Sequence, residues 1–208
     1  MVVNRQLRSS WCRPLALVGL VLVAACQTVP PVTVTANFVA TPAMATRSPS
    51  QVAVLAVEDG TTQRLSDQFL VFVRQEVMRQ LPDRLYSPLR PDKVDAEMRK
   101  LPPAAGTESI IAPATLKRFA GHVQEDAVLA LRLGHWDETR LMVDRTVSFQ
   151  VEATLLGSDG VTLWSGSMQG SVKAGGVGAS PRDREAAARN CAELVVREMV
   201  LRLPMRLI

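Results

Sequence analysis

The chain has 208 residues, 47% of them apolar and 21% charged, which is enough for one globular domain with a terminal extension at the usual ~100–200 residues per domain. Aromatic residues make up only 4%, so the core is expected to be built from Val, Leu and Ala. The formal charge of +4 falls to 21 basic against 20 acidic residues once Arg5, Arg8 and Arg13 are set aside, and no basic stripe with interleaved aromatics remains to bind nucleic acid.

Residues 1–13 carry those three arginines and no acid, and residues 14–25 (PLALVGLVLVAA) are uncharged and apolar. A charged start, a short apolar run and small residues form a secretory leader. As a helix, twelve residues span roughly 18 Å, against a hydrocarbon core of about 30 Å, so the run is too short for a comfortable membrane span. Val23-Ala24-Ala25-Cys26 resembles the lipobox of bacterial lipoproteins. That resemblance implies cleavage between Ala25 and Cys26, acyl chains on Cys26, and attachment to a membrane through that lipid. One acyl chain binds a bilayer only marginally, so a stable anchor takes two or more. With Gln27 next to the cysteine, the resemblance implies an outer-membrane protein facing the periplasm. The competing reading, an ordinary signal cut after an A-x-A-like site, leaves Cys26 as an exposed thiol without a partner and explains less. Cys12 departs with the leader, so Cys191 is the remaining thiol, in a helical pattern that suits a small buried hydrophobe.

Residues 26–50 hold one charge and four prolines and are expected to form a lipidated flexible tether; alternatively, Val32-Thr33-Val34-Thr35 adds a strand to a sheet edge. Residues 51–208 are expected to form the folded domain. The apolar run 52–57 reads as a strand buried on both faces, and Glu58-Asp59-Gly60 as a turn. Leu65, Phe69, Phe72, Val73, Val77 and Leu81 follow helical spacing up to Pro82. A short strand over 84–87 and a small helix capped by Asp92 come next, then a loop over 102–112 and a helix over 114–123 behind Pro113. Residues 127–133 form another apolar strand. Val147, Phe149, Val151, Ala153 and Leu155 alternate with polar neighbours, Asp159-Gly160 marks a hairpin turn, and 161–172 returns antiparallel. Gly175-Gly176-Val177-Gly178 reads as a hinge, and 181–203 as a closing helix. The expected fold is α/β, with a mixed sheet flanked by helices in two or three layers and an antiparallel strand meander.

Asp126-Ala127 opens a strand after a helix, and Gly160, Leu163, Trp164 and Gly166 form a Gly-x-x-Leu-Trp-x-Gly hairpin motif. With the run 52–57 and the helix behind it, these resemble the periplasmic lipoproteins with a TolB amino-terminal-like domain, a group related to CsgG and LpoB. The resemblance spans about residues 51–203 and implies an outer-membrane lipoprotein; its motifs are structural, and none is catalytic. Auxiliary lipoproteins of ABC-type lipid transport systems share the anchor and size.

His122 and His135 have no ligand-spaced partners, and the chain lacks G-x-S-x-G, P-loop and G-x-G-x-x-G motifs. Neither a metal site nor a cofactor is therefore expected. Glu58-Asp59 follows a strand end, where α/β proteins place ligands. It offers acid–base chemistry or, more simply, a solvated turn, and Asp59 is retained as a partner contact. Trp136, between His135 and Asp137, is either a partner-binding tip or a cover for the sheet edge, and Trp164 belongs to the core or a protomer interface. The expectation is a non-enzymatic accessory or adaptor protein of the cell envelope, with an envelope protein as partner. The alternatives are an oligomeric secretion component, which makes a homo-oligomer, or a transport auxiliary.

Overall fold

A computed structural model describes residues 32–101, 109–175 and 183–206. The leader, the cleavage site at Ala25 and Cys26, and Gly176 to Gly178 of the glycine run lie outside the described residues.

The domain is α/β, with a mixed, largely antiparallel sheet flanked by helices. Its strands are β1 (Val32–Ala36), β2 (Val39–Ala40), β3 (Gln51–Val54), β4 (Glu58–Asp59), β5 (Ser87–Pro88), β6 (Ala127–Asp137), β7 (Thr146–Gly157) and β8 (Thr162–Lys173). The sheet runs β1-β8-β7-β6-β3-β5; β2 extends β1 along β8, and β4 extends β3 along β6. Strands β6, β7 and β8 form the meander, while β3 lies parallel between β5 and β6. That central place explains the run 52–57: Val52 and Val54 face one core, and Ala53 and Leu55 the other.

Helices α2 (Asp67–Gln80) and α5 (Asp183–Arg202) cover one face. There they bury Val73, Val77, Cys191, Val195 and Met199 against Leu129, Leu131, Phe149, Val151 and Met168. Helices α3 (Pro91–Met98) and α4 (Pro113–Leu116) pack on the opposite face at the β3–β6 end, around Val94, Leu116, Val128, Ala130 and Leu156. The rest of that face carries Ser148, Gln150, Glu152, Ser167 and Gln169, so three layers at one side of the sheet become two at the other.

From residue 32 onward the expected tether gives way to the edge-strand alternative; residues 26–31 lie outside the described residues. Residues 32–50 form β1, β2 and the short helix α1 (Pro42–Arg47), folded onto β8. Val32, Val34 and Ala36 pack on the main core, Phe38 stacks on Trp164 at 4.5 Å with its ring 9° from parallel, and Met44 is buried. Gly166 makes this crossing possible, because a Cβ there would lie 2.6 Å from the Phe38 Cα. Trp164 is a core residue, 2% exposed, with its Nε1–H donated to the Arg202 carbonyl at 3.2 Å.

Several shorter expectations also change. The helix read over 114–123 stops at Leu116, because the buried Glu125 carboxylate accepts the N–H groups of Gly121 and Val123, the latter at 2.8 Å, and pulls the chain into turns. Asp92 lies in the first turn of α3, paired with Arg90 at 2.7 Å; the cap position is Arg90. Asp126, in the Asp-Ala motif, accepts the N–H groups of Ser50 and Gln51 at 2.8 and 2.9 Å and so fixes the start of β3 beside β6. The expected turn at Glu58-Asp59 is the strand β4.

Candidate functional site

The strand pairings bring the C-terminal ends of β4, β6 and β8 and the N-terminal ends of β1 and β7 to one end of the sheet. The helix starts of α2 and α5 stand over the same end, and a groove of about 490 Å³ opens between them.

Its base is aromatic. Trp136 is 4% exposed, and its ring lies 5.0 Å from Phe69 at 50°. The Trp136 Nε1–H donates to Glu138 Oε1 at 2.9 Å, while Glu138 Oε2 accepts from Arg184 Nε at 3.2 Å. Arg189 bonds Glu185 at 2.6 Å and sits 5.3 Å above the Phe72 ring. Arg64 and Gln68 complete the mouth from the α2 side. The groove thus combines an apolar floor with walls that carry three arginines and two glutamates.

Asp59 builds the lip. Its carboxylate accepts the Thr61 N–H at 3.0 Å, the Thr61 hydroxyl at 2.6 Å and the Leu65 N–H at 2.7 Å, which folds residues 60–66 over the groove. Burial works to raise its pKa, but the bonds from Thr61 and Leu65 and the charge of Arg64 outweigh it and hold the carboxyl below its ordinary 3.8. The Ser66 hydroxyl then accepts the Phe69 N–H at 3.2 Å and starts α2.

Glu58 takes the other face of the sheet, because successive strand residues point to opposite sides. Its Oε2 accepts from the Ser109 hydroxyl at 2.7 Å and the Ile110 N–H at 2.6 Å, and Oε1 lies 3.2 Å from Arg132 Nε. The last contact is an ion pair without hydrogen-bond geometry, so Arg132 Nε remains without a hydrogen bond. Arg132 also reaches Glu152 at 3.3 Å. Glu58 therefore ties the 109–112 loop to the sheet, and the two adjacent carboxylates do not form an acid–base pair.

Trp136 and Asp59, singled out in the sequence, are thus brought to one groove, one as its floor and the other as the organiser of its lip. Glu138, Arg184, Arg189 and Phe69 were not picked out. Nothing in the sequence marks the arginines, and their gathering beside Trp136 exists only in three dimensions. His135 is exposed opposite Gln150, and His122 is exposed in the turn after α4. Among the described residues no group of three His, Cys, Asp or Glu side chains is placed to hold a metal, and no helix is long and apolar enough to cross a membrane. Cys191 is fully buried; burial first, then the charge of Glu138, pushes its thiol up to about 12.

No protein-family profile matches the chain, and no curated protein matches it. Solved structures with a similar trace include the PelC dodecamer from Paraburkholderia phytofirmans, at 14% identity over 79% of this chain and 96% of that one, with a TM-score of 0.44. Lipoprotein GNA1162 from Neisseria meningitidis is 18% identical over 74% of this chain and 99% of its own, with a TM-score of 0.44. The LpoB C-terminal domain from Salmonella enterica is 16% identical over 60% of this chain and 82% of its own, with a TM-score of 0.40.

Proposed function

We propose that this chain is a lipid-anchored accessory protein of the bacterial cell envelope, which holds a segment of a partner protein in the Trp136 groove and performs no catalysis of its own. The anchoring half of the reading is supported by the arginine-bearing start, the short apolar run and Val23-Ala24-Ala25-Cys26, with Gln27 favouring the outer membrane and a periplasm-facing domain. The binding half is carried by one observation: a groove of about 490 Å³ that sets Trp136 and Phe69 beneath Arg64, Arg184 and Arg189. Its complement is a segment with an apolar anchor residue and an acid set against Arg64, since Arg184 and Arg189 are already paired with Glu138 and Glu185. The divergence of Glu58 and Asp59 supports the non-enzymatic reading.

A photoreactive side chain at Gln68, on the groove mouth, tests this in intact cells. One discrete crosslinked partner is expected from position 68 and none from Ser158, which is exposed at the far end of the sheet. Equal labelling from both positions removes the groove from the reading. A second reading, an oligomeric secretion component or transport auxiliary, is favoured by the β1 edge. Its sequence, VTVTA, has no charge or proline to discourage pairing with another copy. Light scattering on the purified protein separates the two, since a stable ring supports assembly and a monomer the adaptor.

A further inference from the structure

The β6–β7 connection, residues 138–145, is an ordered turn that displays two adjacent apolar side chains to solvent. Leu141 is fully buried and pins the turn to the core, while Met142 is 37% and Val143 85% exposed. The exposure is built in. Leu141 N–H donates to the Glu138 carbonyl at 2.9 Å, Val143 and Asp144 N–H to the Arg140 carbonyl at 3.1 and 3.0 Å, and Arg140 pairs with Asp144. Ordered backbone that turns a valine outward forgoes burial of that side chain, so that with Met142 it makes a small apolar tip.

The chain's point of entry says what lies there. Val32, where the described chain begins, pairs with Val172, which pairs with Val147 at the foot of this turn. Five residues lie between Cys26 and Val32, so six steps of ~3.3–3.6 Å give a reach of roughly 20 Å. Strand β1 lies two strand spacings, about 10 Å, from β7. We infer that the Met142–Val143 turn rests in the lipid interface beside the acylated Cys26, so that the domain sits on the bilayer with the β6–β7 turn down, the β7–β8 turn away and the Trp136 groove on the membrane-proximal side, where a partner segment would approach along the bilayer. This rests on the lipid-anchor reading. Within the turn and the strand ends beside it Arg140, Arg145 and Lys173 stand against Asp137, Glu138 and Asp144, and Arg184 on Glu138 leaves a surplus of one positive charge, so the contact is chiefly apolar and depends little on anionic lipid.

The test uses the full chain purified from membranes and reconstituted in phosphatidylethanolamine vesicles, with and without phosphatidylglycerol. Val143→Cys carries a polarity-sensitive fluorophore; Cys191 is buried, so the label stays at the tip. Ser158→Cys serves as the distal control. A blue-shifted label at 143 that is quenched by spin labels on the lipid headgroup side, with little effect at 158 and little dependence on phosphatidylglycerol, is the expected result. Adding Met142→Ser to a Val143→Ser variant should lower vesicle association of any non-acylated fraction by about tenfold. Quenching equal at 143 and 158 on protein whose intact mass shows acylated Cys26 overturns this pose alone. A blue shift without lipid quenching means that protein, not lipid, covers the turn, and also overturns it. An unmodified Cys26 overturns the anchor reading and this pose together.

Discussion

At the scale of single residues, Asp59 shows how a carboxylate acts without catalysing anything. Its pKa is depressed in the folded protein, so it contributes stability that is fully present above the ordinary 3.8 and is lost as pH falls through the lower folded value. The 60–66 loop should therefore lose amide-exchange protection as the solution is acidified through that window. Asp59→Asn should remove this dependence, since an amide keeps one acceptor but no charge; an unchanged profile in the variant would remove Asp59 from the lip. The sequence marked Asp59 because of its place after a strand, and the place was informative. The pairing with Glu58 was not, because a turn would have allowed both carboxylates to face one site, whereas the two-residue pairing of β4 with β6 sends them to opposite faces. Trp136 was legible as a special position on similar grounds. What surrounds it was not, because Arg184 and Arg189 line the same groove from a helix that begins almost fifty residues later.

At the scale of elements, alternation and helical spacing carried most of the information. The inward set of β7, from Val147 to Leu155, is buried as the two-residue period requires, and α2 and α5 fall where apolar residues recur at helical intervals. The buried polar residues of α2 were not legible in that spacing. Arg74, Glu76 and Gln80 of α2 are buried, at 5–7% exposure. Arg74 donates from Nε and Nη2 to the Val54 carbonyl at 3.0 and 2.6 Å and meets Asp95, capping the strand end that β3 leaves open. Glu76 is held by Arg79 and Gln80. Such partners come from tertiary packing, which spacing does not encode. The start of α2 depends on Ser66, whose hydroxyl takes the Phe69 N–H. Ser66→Ala should cost about 1 kcal/mol in chemical denaturation and loosen the groove lip with it; a cost near zero would show that Asp59 alone organises this turn.

At the scale of the whole molecule, the boundary drawn at residue 51 divides one folded body. Composition pointed to a tether because Pro30, Pro31, Pro42 and Pro49 and the many threonines suit extended chain. Among the described residues Pro42 opens α1, where its missing N–H costs nothing, and the β-branched residues supply an edge strand. A protein beginning at Gln51 should therefore be less stable than one beginning at residue 27, by at least about 3 kcal/mol, because it strips Phe38 from Trp164 and removes the buried Met44. Equal thermal midpoints would restore the tether. The pairing of Val32 with Val172 has a kinetic side as well. The first of the described strands must wait for the last of them, and closing so wide a loop comes late in folding. By the same token, this rim should be the first part of the sheet to peel away under load, so a pull on the amino terminus would unzip β1 from β8 before it disturbed β3 or β6.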